Sequence, residues 1–140
     1  MRLTRFTDYA VRVLLHLGAK GEAQSSIAEI AELYGISRNH LMKVVQDLGH
    51  AGFVRTVRGR GGGIRLGRPA EEINLGALVR QTEDGFQLVD CSDCLVAGAC
   101  TLPRVLNEAT AAFLGVLDKY TLADLLGRRQ DLRQIFGLAG

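Results

Sequence analysis

Apolar residues in the first third of the chain recur at steps of three and four, a spacing that predicts amphipathic helices. The predicted helices cover residues 4–18, 26–34 and 37–48. Ser26 and Glu29 have the spacing of a capping box, in which each side chain satisfies a free backbone N–H of the helix start. Gly35 allows a tight reversal, and Ser37 is a good N-cap for the third helix, which Gly49 and Gly52 are predicted to end.

The pattern then changes to alternation, which is typical of strands. Residues 53–57 and 63–67 alternate and carry β-branched side chains, and a glycine-rich segment, 58–62, separates them. Two short strands joined in this way predict a β-hairpin. Three helices followed by a hairpin is the order of a winged helix-turn-helix, so the fold class is mainly α with a small β-hairpin.

The rest of the chain is predicted to be helical around one irregular loop. Asn74 can cap a fourth helix that ends near Glu83, a long helix covers residues 101–119, and a short helix follows Thr121. In the tail, Leu132, Ile135 and Phe136 have a spacing that would let them fold back onto the protein. The predicted division is residues 1–83 as the winged helix-turn-helix domain, 84–100 as a loop, 101–127 as a long helix with its short successor, and 128–140 as a tail.

The long helix has apolar residues around too much of its circumference for one small monomer to cover. A partner helix in a homodimer would bury them. The alternative is a helix packed wholly within its own monomer.

Composition sets the class of protein. The chain has 140 residues, of which 47% are hydrophobic, and this excludes disorder. It has neither a signal-peptide pattern nor an apolar run of about 18 residues, so we expect a soluble cytoplasmic protein without a membrane span.

The formal net charge of +2 conceals a local excess of positive charge. Residues 54–68 hold five arginines and no acidic residue. Together with the exposed face predicted for the third helix, this favours double-stranded DNA as a partner. The alternative is a solvated helix beside a tight turn with exposed arginines. The candidate DNA-binding residues are Ser37, Arg38, Asn39, His40 and Lys43 on the third helix and Arg58 and Arg60 in the hairpin tip.

Three cysteines, Cys91, Cys94 and Cys100, lie within ten residues of the loop. In a reducing compartment such a group favours a metal or iron–sulfur site over disulfides. Three thiolates with one position left for another ligand suit an iron–sulfur cluster. Zinc, free buried thiols and a redox thiol pair are the alternatives.

These segments together resemble a known family, the iron–sulfur winged-helix transcription regulators, and in particular their nitric-oxide-sensing repressors. The resemblance covers residues 1 to about 126 and rests on MRLTRFTDYAVRVLLHL, IAEIAELYGISRNHLMKVVQDLGHAGFV, RGRGGGIRL, and the cysteine loop followed by FLGVLDKYTLADLL. It implies a homodimeric repressor with a 4Fe–4S cluster held by the three cysteines. It also implies a fourth ligand, Asp8, from the partner subunit. The alternative role for Asp8 is a charge that complements the dipole of the first helix.

Two departures from the family pattern affect the cluster. Only two residues separate Cys91 from Cys94, fewer than relatives usually have, which allows a shifted ligand or another cluster form. Pro103 stands where the 2Fe–2S branch of the family has its histidine ligand, so a 2Fe–2S cluster is disfavoured.

The function that we predict is repression of nitric-oxide detoxification genes, with nitric oxide as the effector. One alternative is a repressor that responds to iron or to iron–sulfur status. Others are a zinc-stabilised DNA-binding protein and an iron–sulfur redox protein that does not bind DNA. An enzyme is not expected, because His16, His40 and His50 are scattered and no acid–base constellation is evident.

Overall fold

The computed structural model describes residues 1–138, which form seven α-helices, one 3₁₀ turn and one hairpin. The elements are α1 (Arg5–Lys20), α2 (Ile27–Tyr34), α3 (Arg38–His50), β1 (Val54–Val57), β2 (Gly63–Leu66), the 3₁₀ turn (Ala70–Glu72), α4 (Leu75–Thr82), α5 (Leu102–Leu117), α6 (Leu122–Leu125) and α7 (Arg129–Ile135). The predicted winged helix-turn-helix order is therefore present.

The helices of the winged domain start where their polar caps predicted. The hydroxyl of Ser26 accepts from the Glu29 N–H at 3.0 Å, and the hydroxyl of Ser37 accepts from the His40 N–H at 3.4 Å. Only this half of the capping box is as predicted, since the Glu29 carboxylate accepts from Lys20 Nζ at 3.2 Å. Gly35 has φ +68°, the left-handed conformation that ends α2.

The end of α3 agrees with only one of the two glycines predicted to end it. The helix runs through Gly49 to His50, and the chain leaves it at Gly52, which has φ +83°. A glycine within a helix is tolerated when packing holds the turn, and Leu48, one position earlier, is completely buried.

The hairpin is antiparallel, with Val54 opposite Leu66 and Val57 opposite Gly63. Ser25 adds a third short edge, because its N–H donates to Ile64 O at 2.9 Å and its carbonyl accepts from Ile64 N at 2.7 Å. A side chain at Gly63 would lie 2.4 Å from Ser25 O, so this close approach requires glycine.

The core is formed by α1 to α4, the hairpin and α6, with Ile73 buried just before α4. Leu122 of α6 is completely buried in the same cluster as the leucines of α1. Phe136 lies against His16, with ring centroids 5.1 Å apart, and so part of the tail folds back as predicted. Ile135 was wrongly grouped with it, since its side chain is 73% exposed. Residues 139 and 140 lie outside the described part of the chain.

The long helix α5 stands on the edge of this core. It ends at Leu117, two residues earlier than predicted, and packs against α4. Arg80 of α4 holds its end through two hydrogen bonds to Asp118, at 2.5 and 3.0 Å. Its buried residue is Leu114. Large apolar residues recur at helical spacing on another face of α5 and just beyond its end, where they stay exposed, and we call them the exposed stripe of α5: Leu102, Val105, Phe113, Val116 and Tyr120.

No helix within residues 1–138 is long and apolar enough to cross a membrane.

Candidate nucleic-acid interface and cysteine loop

The outer face of α3 is set by what the inner face buries. Leu41, Val44 and Leu48 are completely buried against α1 and the hairpin, so the residues between them point outward. Ser37, Arg38, Asn39 and Lys43 are all exposed. Each can donate to a phosphate or to a base edge.

His40 is placed differently from its neighbours. It is half-buried, and its ring meets the ring of Tyr9 edge-on, with centroids 4.9 Å apart. This contact connects the first turn of α3 to α1. The ring is therefore less free to follow DNA than the exposed side chains on either side of it.

A groove of about 920 Å³ lies between α3 and β1. Asn39, Lys43 and Gln46 line one wall, while Arg55 and Thr56 line the other. No acidic residue is among the described residues that line it. The positive potential of this groove suits a phosphodiester backbone. The candidate set from the sequence omitted three residues that line this groove, Gln46, Arg55 and Thr56.

The hairpin tip is built to bring arginines close to a ligand. Arg58 and Arg60 are exposed, and Gly59 and Gly61 between and beside them have φ +99° and +72°. These left-handed conformations favour glycine. The amide of Gln24 donates to Gly61 O and so ties the tip to the segment before α2.

The cysteine loop covers residues 84–100 and has no helix or strand of its own. Successive turns fold it, with Cys94 N donating to Cys91 O at 3.3 Å and Cys100 N donating to Val96 O at 2.9 Å. All three thiols are free; Cys94 and Cys100 are exposed, and Cys91 is partly exposed. Leu95 is 99% exposed, an unusual position for a large apolar side chain.

The donors of this loop fit an iron–sulfur cluster chemically. Three thiols lie on a short, accessible loop, and the Leu102 N–H donates to Cys100 Sγ at 3.5 Å, as backbone donors do to thiolate ligands. Within residues 1–138, however, no three His, Cys, Asp or Glu side chains are grouped closely enough to hold a metal. Asp8 is accordingly not gathered with two of the cysteines of its own chain.

Asp8 lies in the first turn of α1 and is engaged there. Its two carboxylate oxygens accept from Arg12 Nε at 3.1 Å and from Arg12 Nη2 at 2.9 Å. The guanidinium also lies 5.7 Å from the ring of Tyr9 and 5.6 Å from that of Tyr34. The Asp8 side chain is thus accessible, but both of its oxygens already have a partner.

Glu83 was missed in the sequence, where it marked only the end of a helix. Its carboxylate accepts from Thr4 N at 2.9 Å, from Thr4 Oγ1 at 2.6 Å and from the Thr7 hydroxyl. Partial burial acts to raise the pKa of Glu83, but these hydrogen bonds hold it below its ordinary value. No sequence signal links positions 79 residues apart, so only the tertiary structure could find this contact.

Taken together, a turn-linked pair of helices, an exposed polar second helix and a basic hairpin define the winged helix-turn-helix class. Comparison with known proteins agrees: residues 3–128 match the Rrf2 family, described as iron-dependent transcriptional regulators. The chain belongs to the Rrf2 family.

Relatives refine this assignment. The chain is 52% identical over 141 residues to the HTH-type transcriptional regulator NsrR of Bacillus subtilis strain 168, covering 96% of this chain and 97% of that protein. The fold is similar to that of T. potens IscR, with a TM-score of 0.74 at 30% identity, covering 90% of this chain and 86% of that one. It is also similar to that of CymR, the global cysteine regulator of B. subtilis, with a TM-score of 0.68 at 28% identity and coverage of 89% and 95%. The expected resemblance to the NsrR type is confirmed, as is the expectation that the protein is not an enzyme.

Proposed function

We propose that the protein is a homodimeric DNA-binding repressor that senses nitric oxide through an iron–sulfur cluster on the cysteine loop. The observation that carries the proposal is a physical connection between that loop and the DNA-binding face. Glu83 precedes the loop, and its carboxylate accepts hydrogen bonds from Thr4 and Thr7 at the start of α1. Helix α1 in turn packs against α3. A change at the loop therefore has a short route to the recognition helix.

DNA binding is supported by the distribution of charge. The α3 groove and the hairpin tip offer donors from two elements, as a winged helix requires for the major groove and for the flanking backbone or minor groove. We assign base contacts to Arg38 and Asn39 in the first turn of α3. Arg58 and Arg60 at the tip would bind the DNA beside the groove that α3 enters.

The homodimer is supported by the exposed stripe of α5. Val105 and Val116 are each 51% exposed, although the apolar stripe to which they belong runs the length of the helix. A second copy of α5 would cover this stripe and bring two winged domains to two half-sites of one operator.

Cys91, Cys94 and Cys100 would hold the cluster, with Asp8 of the partner subunit's α1 as its fourth ligand. When bound, the cluster supplies an iron atom whose hard carboxylate ligand is more readily displaced by a small molecule than a thiolate is. Arg12 donates one hydrogen bond to each Asp8 oxygen, so a cluster iron and this guanidinium would share the carboxylate.

The shared Asp8 carboxylate gives the signal a route to DNA. Release of Asp8 from a ligand role would strengthen its pairing with Arg12, whose guanidinium touches Tyr9, and Tyr9 touches His40 at the start of α3. The required difference in operator binding is about 1–3 kcal/mol, which is ordinary for coupled sites.

The test is operator affinity of anaerobically reconstituted protein before and after stoichiometric nitric oxide, measured by fluorescence anisotropy on a duplex selected from a random pool. We expect a loss of about 5- to 150-fold. Cys94→Ser should abolish the response, while Ser92→Ala, a matched change in the same loop, should preserve it. Unchanged affinity after nitric oxide rejects the sensing role, and colourless, zinc-containing protein rejects the cluster.

A second candidate is a repressor that responds to iron supply. Cys94 and Cys100 are exposed, which would allow a cluster to be lost when iron is scarce. Chelation of iron without nitric oxide separates the two functions, because only the second predicts release of the operator under that treatment.

A further inference from the structure

A second basic cleft, of about 880 Å³, lies at the base of the hairpin, between the end of α1, the 3₁₀ turn and helices α6 and α7. It is separate from the hairpin tip and from the cysteine loop. Its charged lining residues are the cations Lys20, Arg55, Arg65, Arg68 and Arg129 and the acids Glu22 and Glu71. The cations outnumber the acids by three, so the cleft as a whole attracts anions.

Two of the arginines are placed unfavourably for an isolated hairpin. Arg55 of β1 and Arg65 of β2 are direct cross-strand partners and line the same cleft. Like charges directly opposite each other destabilise a strand pair, so this arrangement favours a bound counter-charge between them.

Arg65 also has an unsatisfied donor. Its Nε is buried and has no hydrogen-bond partner among residues 1–138, and its Nη1 reaches only Glu22 O, at 3.5 Å. A buried guanidinium N–H without an acceptor costs free energy that a bound anion would recover.

The remaining cations already have structural partners. Arg68 donates to Ala51 O at 3.1 Å, and Arg129 donates to Ala19 O at 3.2 Å. Lys20 pairs with Glu29 at 3.2 Å. These side chains make the electrostatic potential of the cleft more positive, while Arg55 and Arg65 retain guanidinium N–H groups that can donate hydrogen bonds to a ligand.

We propose that this cleft is a phosphate-binding site in which the guanidinium groups of Arg55 and Arg65 share one phosphate group. Guanidinium forks match the geometry of phosphate oxygens and can bind them in pairs. The phosphate can come from a free phosphorylated molecule or from a DNA backbone, since Arg55 also lines the α3 groove. The proposal goes beyond the proposed function, because a free phosphate ligand requires neither the cluster nor an operator.

The first arm of the test is calorimetric titration of the full-length protein with inorganic pyrophosphate in the absence of DNA. A free ligand predicts saturable binding that Arg55→Gln and Arg65→Gln each weaken by about tenfold or more. Arg58→Gln, the same change at the hairpin tip, should leave pyrophosphate binding unaltered. Arg55 is exposed, so its variant serves if Arg65→Gln does not fold.

The second arm measures operator affinity of the same variants against salt concentration. If pyrophosphate does not bind, but Arg55→Gln and Arg65→Gln weaken operator binding and each lower the salt slope by about one, the phosphate belongs to DNA. The proposal is overturned if the two variants behave as wild type in both arms, or if Arg58→Gln affects pyrophosphate binding as strongly as they do. Failure of the nitric oxide response would leave the pyrophosphate result intact, so the two proposals fail separately.

Discussion

The winged domain and helix α5 use their apolar residues in opposite ways. In the winged domain, Leu14, Leu17 and Leu41 are completely buried by other parts of the same chain. On α5, Val105 and Val116 remain half exposed, although their spacing is equally regular. Periodicity alone therefore identifies an apolar face without telling what covers it. The comparison teaches that the first region buries its apolar face within its own chain, whereas the second leaves part of its apolar face open to another surface.

The largest effect should come from the core of the first region. Leu14→Ala removes a completely buried side chain, and we expect the free energy of unfolding to fall by about 3 kcal/mol. Urea denaturation of the apoprotein measures it. Leu95→Ala is the matched control on the cysteine loop, where the side chain is almost fully exposed and the change should be within about 0.5 kcal/mol. Equal losses in the two variants would contradict the burial that distinguishes the winged-domain core from exposed apolar side chains.

The next effect tests what covers α5. Val116→Glu places a charge within the exposed apolar stripe, and we expect it to raise the dimer dissociation constant by about 100-fold or more while the helix content stays the same. Sedimentation equilibrium and circular dichroism measure the two quantities. Asn107→Glu adds the same charge at an exposed polar position of α5 and should leave the dimer intact. A wild-type protein that sediments as a monomer at micromolar concentration would show that something else covers the stripe.

A smaller effect tests whether the winged domain, and not α5, binds the DNA. Arg58→Gln should weaken operator binding by about 1–2 kcal/mol. It should also lower, by about one, the steepness with which the logarithm of the binding constant falls with the logarithm of salt concentration. Arg104→Gln removes another exposed arginine, on α5, and should change neither value. If the α5 variant weakens binding as much as the hairpin variant, DNA contacts extend over both regions.

The smallest effect concerns the contact that attaches the end of α4, just before the cysteine loop, to the start of α1. The hydrogen bonds from Thr4 and Thr7 lower the pKa of Glu83 against the opposing effect of burial, so its ionised form stabilises the folded protein above the ordinary glutamate pKa of 4.5. That contribution is lost as the pH falls through the lowered folded pKa. Glu83→Gln should therefore reduce the loss of unfolding free energy that accompanies a fall in pH from about 5 to 3. Thermal unfolding across this range measures it, with the exposed Glu71→Gln as control. If the pH dependence in this range is the same for Glu83→Gln and the wild type, the contact contributes no net stability.

Most of the winged domain could be predicted because its signals are local. Ser26, Ser37 and Asn74 cap helices at the predicted positions, with Ala77 N donating to Asn74 Oδ1 at 2.9 Å. Two strands joined by glycines formed the predicted hairpin. The candidate DNA-binding residues followed from the same patterns, since burial of one face of α3 exposes the other. Helix ends were less certain, as the continuation of α3 past Gly49 shows.

The sequence by itself determined the order of elements, the N-caps, the acid-free arginine segment and the grouping of three cysteines, because each depends on residues that are neighbours along the chain. Tertiary structure alone decided that Glu83 bonds to Thr4, that Leu122 enters the core, and that Arg55 and Arg65 face one cleft. These contacts join distant positions and depend on packing, strand register and loop path. No local spacing encodes them, and the first two attach segments at and beyond the end of α4 to the start and core of the winged domain.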